Sequence, residues 1–245
     1  MGKDGNNNEK LLISNIHDKK FSSLNNNLQN FVENVFKYKP QDTTKIECFK
    51  KAGFNKSDLI IKINEQEYGI SVKKGSGNSV HQEKVNDFIT FLKDNYDIPN
   101  QLSEDILFFI WGDGTLNGSG KVSDRMKANT IKEKYPQVVD NIKKFFYLNK
   151  KDLIERFVIK GAKSNSRPDY IYYGTPDAGK VVDSKTILDW LCDDINESKK
   201  APIPVGRLTF QAWNRNINGG NKSEQKRGEI QLKWGSIGKD LDEMI

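Results

Sequence analysis

The order of elements along the 245-residue chain predicts a mixed α/β (α+β) fold, in which flanking helices cover a mixed β-sheet. Three patterns carry this prediction: apolar residues at helical spacing over 24–36, two β-rich runs over 58–73, and two alternating runs over 206–234. We expect residues 21–245 to form a single domain, preceded by a polar and loosely attached segment at residues 1–20.

The elements of the first half follow from the spacing of apolar residues. The helix predicted over 24–36 stops before a proline at position 40. The runs 58–63 and 68–73 are rich in Ile, Val and Tyr and flank a polar turn, which predicts a β-hairpin. Helical spacing returns over 82–95, and the continuous apolar run 105–111 predicts a buried central strand.

The second half is predicted to be mainly helical before its last two strands. Residues 123–160 carry apolar residues at helical spacing, and 169–173 indicate a short strand. A further helix is expected over 184–191, capped by Asp183 or Ser184. The final strands, 206–213 and 228–234, are separated by a long polar loop.

Charge and composition permit nucleic-acid binding without requiring it. The formal net charge is +6, and a surface of solvated lysines explains that excess equally well. Cys48 and Cys192 lie far apart and fit neither a metal nor a disulfide pattern, which indicates reduced thiols. With only two histidines, a zinc site built from several histidines is excluded. No run approaches the ~20 apolar residues of a membrane span, so we expect a soluble, cytoplasmic protein without a membrane partner.

The hairpin over 58–73 sets an acid beside a lysine. A turn centred on Glu65 and Gln66 would place Asp58 opposite Lys73, and would place residue 60 opposite Ser71. Side chains alternate between the two faces of a strand, so Asp58, Ser71 and Lys73 would share one face.

This group of residues has the chemistry of phosphodiester hydrolysis. Asp58 could hold Mg²⁺ (or Mn²⁺), and the backbone carbonyl of Val72 could add a neutral ligand. Lys73 could orient or activate water and offset charge in the transition state, while Ser71 could hydrogen-bond a metal-bound water. On the hairpin alone, however, a surface ion pair worth ~0.2–1 kcal/mol and without function is the favoured interpretation.

A second pattern of the same kind lies further along the chain. Pro168 and Asp169 are followed by Asp183, Ser184 and Lys185, but so short a pattern often matches by chance. Asp183 and Ser184 fit better as the cap of the next helix, and a lysine on its first turn is not held on a strand edge. We therefore expect the site to lie in the first hairpin.

Three segments carry a family resemblance: GFNKSDLIIKI (53–63), SVKKGSGNSVHQEKV (71–85), and GRLTFQAWNRNINGGNKSEQKRGEIQLKW (206–234), followed by DLDEM. In this order they resemble the small type II restriction endonucleases of the MspI-like group, within the PD-(D/E)xK nuclease superfamily. The resemblance covers roughly residue 24 to the end. It implies a restriction endonuclease-like fold and magnesium-dependent cleavage of double-stranded DNA at a short specific site, leaving 5′-phosphate ends. It also implies a restriction-modification system with a cognate DNA methyltransferase.

The resemblance assigns roles to the hairpin residues. Asp58 corresponds to the metal-binding aspartate and Lys73 to the catalytic lysine. Ser71 stands where the superfamily usually has Glu or Asp, and where this group resembles a variant with an uncharged amide. Serine departs from both patterns because it is shorter than an amide. Two other functions therefore stay open: a DNA-binding protein with a degenerate nuclease fold, and a structure-specific repair nuclease.

Two polar segments are predicted to contact DNA, where phosphate contacts fix position and polar side chains read base edges. The first leaves the hairpin directly and offers Lys74, Ser76, Asn78, Ser79, His81 and Gln82. The second is the loop between the last two strands, with the strand leading into it, and offers Gln211, Asn214, Arg215, Asn218, Lys222, Gln225, Lys226 and Arg227. A disordered basic hairpin tip is the alternative interpretation of this loop, which we expect to become ordered on DNA.

Overall fold

A computed structural model describes residues 3–50, 56–75, 78–163, 166–199, 201–218 and 224–245, apart from the side chains of residues 3–5 and 225. The backbone divides into two compact units. The first unit comprises residues 1–78, 158–190 and 235–245, and the second comprises 79–157 and 191–234. The mixed α+β class is confirmed, and a single domain over 21–245 stays a prediction. No helix within the described ranges is long and apolar enough to cross a membrane.

The described strands and helices are as follows. The strands are β1 (Lys19–Lys20), β2 (Lys45–Lys50), β3 (Leu59–Ile63), β4 (Gln66–Lys73), β5 (Asn78–Lys84), β6 (Tyr170–Gly174), β7 (Gly179–Asp183), β8 (Pro204–Val205), β9 (Leu208–Ala212) and β10 (Glu229–Trp234). The helices are α1 (Lys3–Ile16), α2 (Asn26–Phe36), α3 (Val85–Tyr96), α4 (Asn100–Trp111), α5 (Ala128–Lys134), α6 (Pro136–Leu148), α7 (Lys150–Ile154), α8 (Ser184–Cys192) and α9 (Ile237–Met244). A π-helical turn, Glu155–Lys160, follows α7.

The first unit is built on a six-stranded mixed sheet in the order β1-β2-β3-β4-β6-β7. β4 and β6 run parallel, and the other described neighbours are antiparallel. Helices α1 and α2 supply apolar side chains to one buried cluster with the sheet, including Leu12, Phe31 and Val35. Burial of this apolar face is the main stabilising term for such a layered unit.

Helix α1 packs into the core of the first unit, which corrects the expectation of a loosely attached segment for the described part of residues 1–20. Leu12 and Ile16 on α1 are almost fully buried in the core of the first unit. Asn8 donates a hydrogen bond to the carbonyl of Gly174, with a nitrogen–oxygen distance of 2.8 Å. The polar composition of the segment hid the few apolar residues, spaced i and i+4, that anchor its helix.

The second unit is built on a four-stranded sheet in the order β5-β10-β9-β8. Its core is aromatic: the ring of Phe210 on β9 lies 4.9 Å from that of Phe146, 5.9 Å from that of Phe88 and 6.1 Å from that of Phe109. The antiparallel pairing of β9 with β10 confirms the predicted final strand pair. The chain therefore carries two sheets in its described residues where a single mixed sheet was expected.

The apolar run 105–111 is helical, so the predicted central strand is wrong. Leu102, Ile106, Phe109 and Ile110 are buried at helical spacing on α4. Gly112, with a φ of 64°, ends the helix in the left-handed conformation that glycine adopts without strain. A short apolar run is ambiguous between a buried strand and a buried helix, and the polar residues before it belong to the same helix.

Candidate active site

The β3–β4 hairpin turns one residue earlier than predicted. Ile63 pairs with Gln66, so the turn consists of Asn64 and Glu65. Asn64 takes a positive φ of 53°, which asparagine tolerates better than most residues. The predicted register is therefore wrong, and Ile60 pairs with Gly69 instead of Ser71.

The corrected register still brings the predicted acid to the predicted lysine. Strand pairing ends at Leu59 and Ile70, and Asp58 precedes the first residue of β3. The backbone amide of Asp58 donates to the carbonyl of Ile70 over 2.8 Å. Beyond this point β4 continues through Lys73 with β6 on one edge but without β3 on the other, so the side chain of Asp58 can reach Ser71 and Lys73 along the free edge.

The carboxylate of Asp58 replaces a backbone partner at the end of the hairpin. Its Oδ2 accepts hydrogen bonds from the amide of Val72 at 2.7 Å and from the hydroxyl of Ser71 at 3.2 Å. The ammonium of Lys73 lies 3.5 Å from the same oxygen. The Asp58 side chain is 4% exposed, so this charge is held by three donors in a buried setting.

Lys73 completes the cluster. Its Nζ donates to the hydroxyl of Ser71 at 2.8 Å and to the carbonyl of Val72 at 3.1 Å. Ser71 therefore bridges the lysine to Asp58, accepting from one and donating to the other. We call Asp58, Ser71 and Lys73 the hairpin site. The structure brings the three predicted catalytic side chains together, and their roles stay predictions.

The alternation along β4 explains why the hairpin site is available. Ile70 and Val72 belong to the buried apolar cluster of the first unit, whereas Ser71 and Lys73 point to the opposite side of the strand. One face of the strand is thus committed to the core, and the other carries the polar cluster.

The oxygen atoms of the hairpin site are of the kind that a hard divalent cation prefers, but only one of them carries a negative charge. Asp58 supplies one carboxylate, Ser71 a hydroxyl and Val72 a backbone carbonyl. Mg²⁺ is commonly held by one or two carboxylates together with water and substrate phosphate, so this donor set meets the lower limit. Across the described ranges, no group of three or more His, Cys, Asp or Glu residues could hold a metal ion.

The second sequence pattern has structural roles in the first unit. Asp169 accepts a hydrogen bond from the amide of Gly69 at 2.7 Å. Asp183 caps α8 by accepting from the amide of Thr186 at 2.9 Å and from its hydroxyl at 2.7 Å. Burial acts to raise the pKa of Asp183, but the Thr186 hydrogen bonds outweigh it and the pKa is lowered. Lys185 is exposed on the first turn of α8.

The segment after the hairpin is partly available to a ligand. Lys74 is exposed, and Asn78 is half-buried, with its amide donating to the carbonyl of Gly75 at 2.6 Å. Gln82 is exposed and donates to the hydroxyl of Ser79 at 2.9 Å. Ser76 lies outside the described residues.

His81, predicted to contact DNA, is instead buried in the second unit. Its Nε2 lies 2.7 Å from Glu83, whose carboxylate also takes two hydrogen bonds from Arg156, at 2.7 and 2.9 Å. The guanidinium of Arg156 stacks 3.7 Å from the centroid of the Phe91 ring. Successive side chains of a strand point to opposite faces, so His81 is buried while the neighbouring Gln82 is exposed.

The loop between β9 and β10 is predicted to contact DNA, and part of it is available. Asn218 is exposed, Asn214 is half-buried, and Gln211 donates to Gln231 at 2.9 Å. The ammonium of Lys226 lies 4.3 Å from the centroid of the Trp213 ring. Two further predicted contacts, Lys222 and the side chain of Gln225, lie outside the described residues.

Arg215 and Arg227, also predicted to contact DNA, are largely withdrawn from solvent. Arg215 packs over the Phe109 ring, and burial lowers its pKa to about 10. Arg227, with a side chain 5% exposed, pairs with the fully buried Asp113 at 3.0 Å and with Glu224 at 3.2 Å. The sequence could not reveal Asp113 as a partner because it lies 114 residues away.

Comparisons with known proteins identify the fold. No family model matches the chain, and no curated protein is significantly similar to it. The restriction endonuclease MspI, solved in complex with its cognate DNA, is similar in structure with a TM-score of 0.57 and 14% sequence identity. The similarity covers 94% of this chain and 88% of that one. It shows a restriction endonuclease-like fold, while membership of the MspI-like group stays a prediction.

Proposed function

We propose that this protein is a nuclease that hydrolyses phosphodiester bonds of double-stranded DNA with a divalent metal, at a short specific site, in the manner of a type II restriction endonuclease. The observation that carries the proposal is the convergence of Asp58, Ser71 and Lys73 on the polar side of one hairpin. The structural neighbour, a restriction endonuclease solved with its cognate DNA, supports it.

Each residue of the hairpin site has a role in this proposal. Asp58, with the carbonyl of Val72, would hold Mg²⁺ or Mn²⁺, which when bound stabilises charge developing on the phosphate oxygens. Lys73 orients the attacking water and offsets negative charge at phosphorus. Ser71 holds Lys73 and Asp58 in register through its hydroxyl. In-line attack then releases the 3′-oxygen and leaves a 5′-phosphate end.

The proposed reaction makes double-stranded DNA the substrate. We further propose that the protein works in the cytoplasm, beside the cognate DNA methyltransferase that the resemblance to restriction endonucleases implies. A mixed-sequence plasmid incubated with the protein and Mg²⁺ tests the proposal. Discrete fragments with 5′-phosphate ends are expected, and an uncut plasmid at saturating protein would contradict it.

A DNA-binding protein with a degenerate nuclease fold is the second candidate. The observation that favours it is the single carboxylate of the hairpin site, where nucleases of this superfamily commonly present two acids. Retained binding of duplex DNA without cutting, in both Mg²⁺ and Mn²⁺, would select this candidate. Nicking confined to branched or mismatched DNA would select a repair nuclease instead.

A further inference from the structure

A carboxylate of the second unit is held by three cationic or amide side chains that converge on it. Glu224 accepts hydrogen bonds from both terminal nitrogens of Arg125, at 3.2 and 3.3 Å. It also accepts from Arg227 at 3.2 Å and from the side-chain amide of Asn216. We call Arg125, Asn216 and Arg227 the Glu224 cradle.

The cradle is built into the second unit, while its occupant faces solvent. The side chains of Arg125 and Arg227 are 6% and 5% exposed, whereas that of Glu224 is 46% exposed. The guanidinium of Arg125 also donates a hydrogen bond to the backbone carbonyl of Asn216 at 2.8 Å, and that of Arg227 donates to the carboxylate of Asp113 at 3.0 Å. The donors are therefore preorganised, and the exposed carboxylate is the part that can leave.

Charge also favours an anion in this place. With Glu224 in place, two guanidinium groups (Arg125 and Arg227) face two carboxylates (Glu224 and Asp113), and the local charge is balanced. Departure of Glu224 leaves one positive charge in excess. Arg215 lies next to Asn216 in the chain, and within the described residues its buried terminal nitrogens have no hydrogen-bond partner. Such a region attracts a replacement oxyanion.

The donor geometry of the cradle fits an anion with several oxygen atoms. A guanidinium presents a planar fork of N–H donors that matches the oxygen atoms of both carboxylates and phosphates. We propose that the Glu224 cradle binds a phosphate of the DNA backbone, and that Glu224 occupies it in the free protein as an internal substitute. This inference rests on the proposed DNA binding, and it makes Glu224 a competitor that DNA must displace.

A binding experiment without metal tests the inference separately from the nuclease reaction. Glu224→Gln keeps the shape of the side chain and removes the competing charge. Glu133→Gln, on the exposed face of α5, makes the same change in net charge outside the cradle. Affinity for a labelled duplex is measured in EDTA by fluorescence anisotropy, and affinity for inorganic phosphate by calorimetry. Circular dichroism establishes that both variants are folded.

Glu224→Gln is expected to bind the duplex and inorganic phosphate up to about fivefold more tightly than the Glu133→Gln control, because an ion pair of up to ~1 kcal/mol no longer competes. Adding Arg125→Gln should abolish this gain and lower the salt dependence of duplex binding by about one phosphate contact. If Glu224→Gln bound inorganic phosphate more tightly than Glu133→Gln but bound the duplex no more tightly, the assignment of DNA as the ligand would be overturned. Equal affinities of the two glutamine variants for both ligands would overturn it entirely.

These outcomes are independent of cleavage. If the plasmid is not cut but Glu224→Gln binds duplex more tightly, the nuclease proposal fails and the cradle stands. If the plasmid is cut and Glu224→Gln behaves as its control, the cradle fails and the nuclease proposal stands. If Glu224→Gln proves unfolded, the variant Arg125→Lys in the otherwise unchanged protein provides a second test. This change keeps the positive charge but removes the planar pair of N–H donors, so the inference requires Arg125→Lys to bind the duplex more weakly than the unchanged protein.

Discussion

The hairpin site of the first unit and the Glu224 cradle of the second unit both set carboxylates against cations, but they are assembled differently. Asp58 and Lys73 are 15 residues apart and meet across one turn. Arg125 and Glu224 are 99 residues apart and meet only after the second unit has folded. The carboxylate of the hairpin site, Asp58, is buried, whereas the carboxylate held by the cradle, Glu224, is exposed.

This difference indicates different uses of a similar pairing. A buried carboxylate with fixed donors suits a site where a metal and a water must be placed with precision. An exposed carboxylate over buried arginines suits a site that exchanges one anion for another. Mutations in one region should therefore leave the function of the other region unchanged.

Removal of the lysine of the hairpin site should have the largest effect. Lys73→Ala is expected to lower the cleavage rate by about 10²-fold or more, since it removes the group that we propose offsets charge in the transition state. Lys62→Ala, which removes a lysine of β3 paired with Glu47 at the surface, is the control and should cut normally. Equal rates for the two variants in a timed plasmid digest would remove Lys73 from the mechanism.

Removal of one arginine of the Glu224 cradle, Arg227, should affect folding instead. Arg227→Ala leaves the fully buried carboxylate of Asp113 without its charged partner. Breaking one partner of a buried pair typically lowers the free energy of unfolding by about 3–5 kcal/mol. Urea denaturation measures the loss. The isosteric Asp58→Asn in the hairpin site should lower the free energy of unfolding much less. A comparable loss in both variants would show that the two regions do not differ in their contribution to stability.

Acid should weaken the second unit through Asp113. Burial acts to raise the pKa of this carboxyl, but hydrogen bonds from Thr115 and Arg227 outweigh it and the pKa lies below the ordinary value of 3.8. A lowered pKa in the folded state stabilises the protein above the unfolded pKa, and this contribution is lost as the pH falls through the folded value. The free energy of unfolding should therefore decline below about pH 4, and Asp113→Asn should show a shallower decline.

The smallest effect is expected for the two cysteines, which should differ in their reactivity toward a thiol reagent. Burial raises the pKa of the Cys48 thiol to about 12, so it carries almost no thiolate at pH 8. Cys192 is only half-buried. A maleimide reagent at pH 8 should label Cys192 of the folded protein well before Cys48, and mass spectrometry of peptides measures the order. Prior labelling of Cys48 would show that the core of the first unit opens readily.

The hairpin site was accessible to sequence analysis because it is local. Alternating strands and a short turn placed Asp58, Ser71 and Lys73 on one face, even though the turn was misplaced by one residue at Asn64. The error did not separate the three residues because the Asp58 side chain reaches along β4 beyond the last strand pair. The role of Ser71 as a bridge depends on hydroxyl geometry, which residue spacing does not encode.

The second unit was harder to predict because its contacts are distant in sequence. An apolar run of seven residues fits a strand or one side of a buried helix, and only packing against β9 and α6 decides for α4. Arg227 looked available because its chain neighbours are polar, yet Asp113 draws it inward. The buried ends of Arg125 and Arg156 likewise depend on distant partners, and Arg215 packs on the distant ring of Phe109, which no local pattern reveals.

The hairpin site is where we propose that phosphodiester hydrolysis takes place. The most direct test compares Asp58→Asn with Asp169→Asn in a plasmid digest with Mg²⁺, at matched folding and matched duplex affinity. We expect Asp58→Asn to abolish cutting, and Asp169→Asn, which alters the acceptor of the Gly69 amide, to retain it. Normal cutting by Asp58→Asn, with loss of cutting by Asp169→Asn, would instead locate the active site at the second pattern, around Asp169 and Asp183.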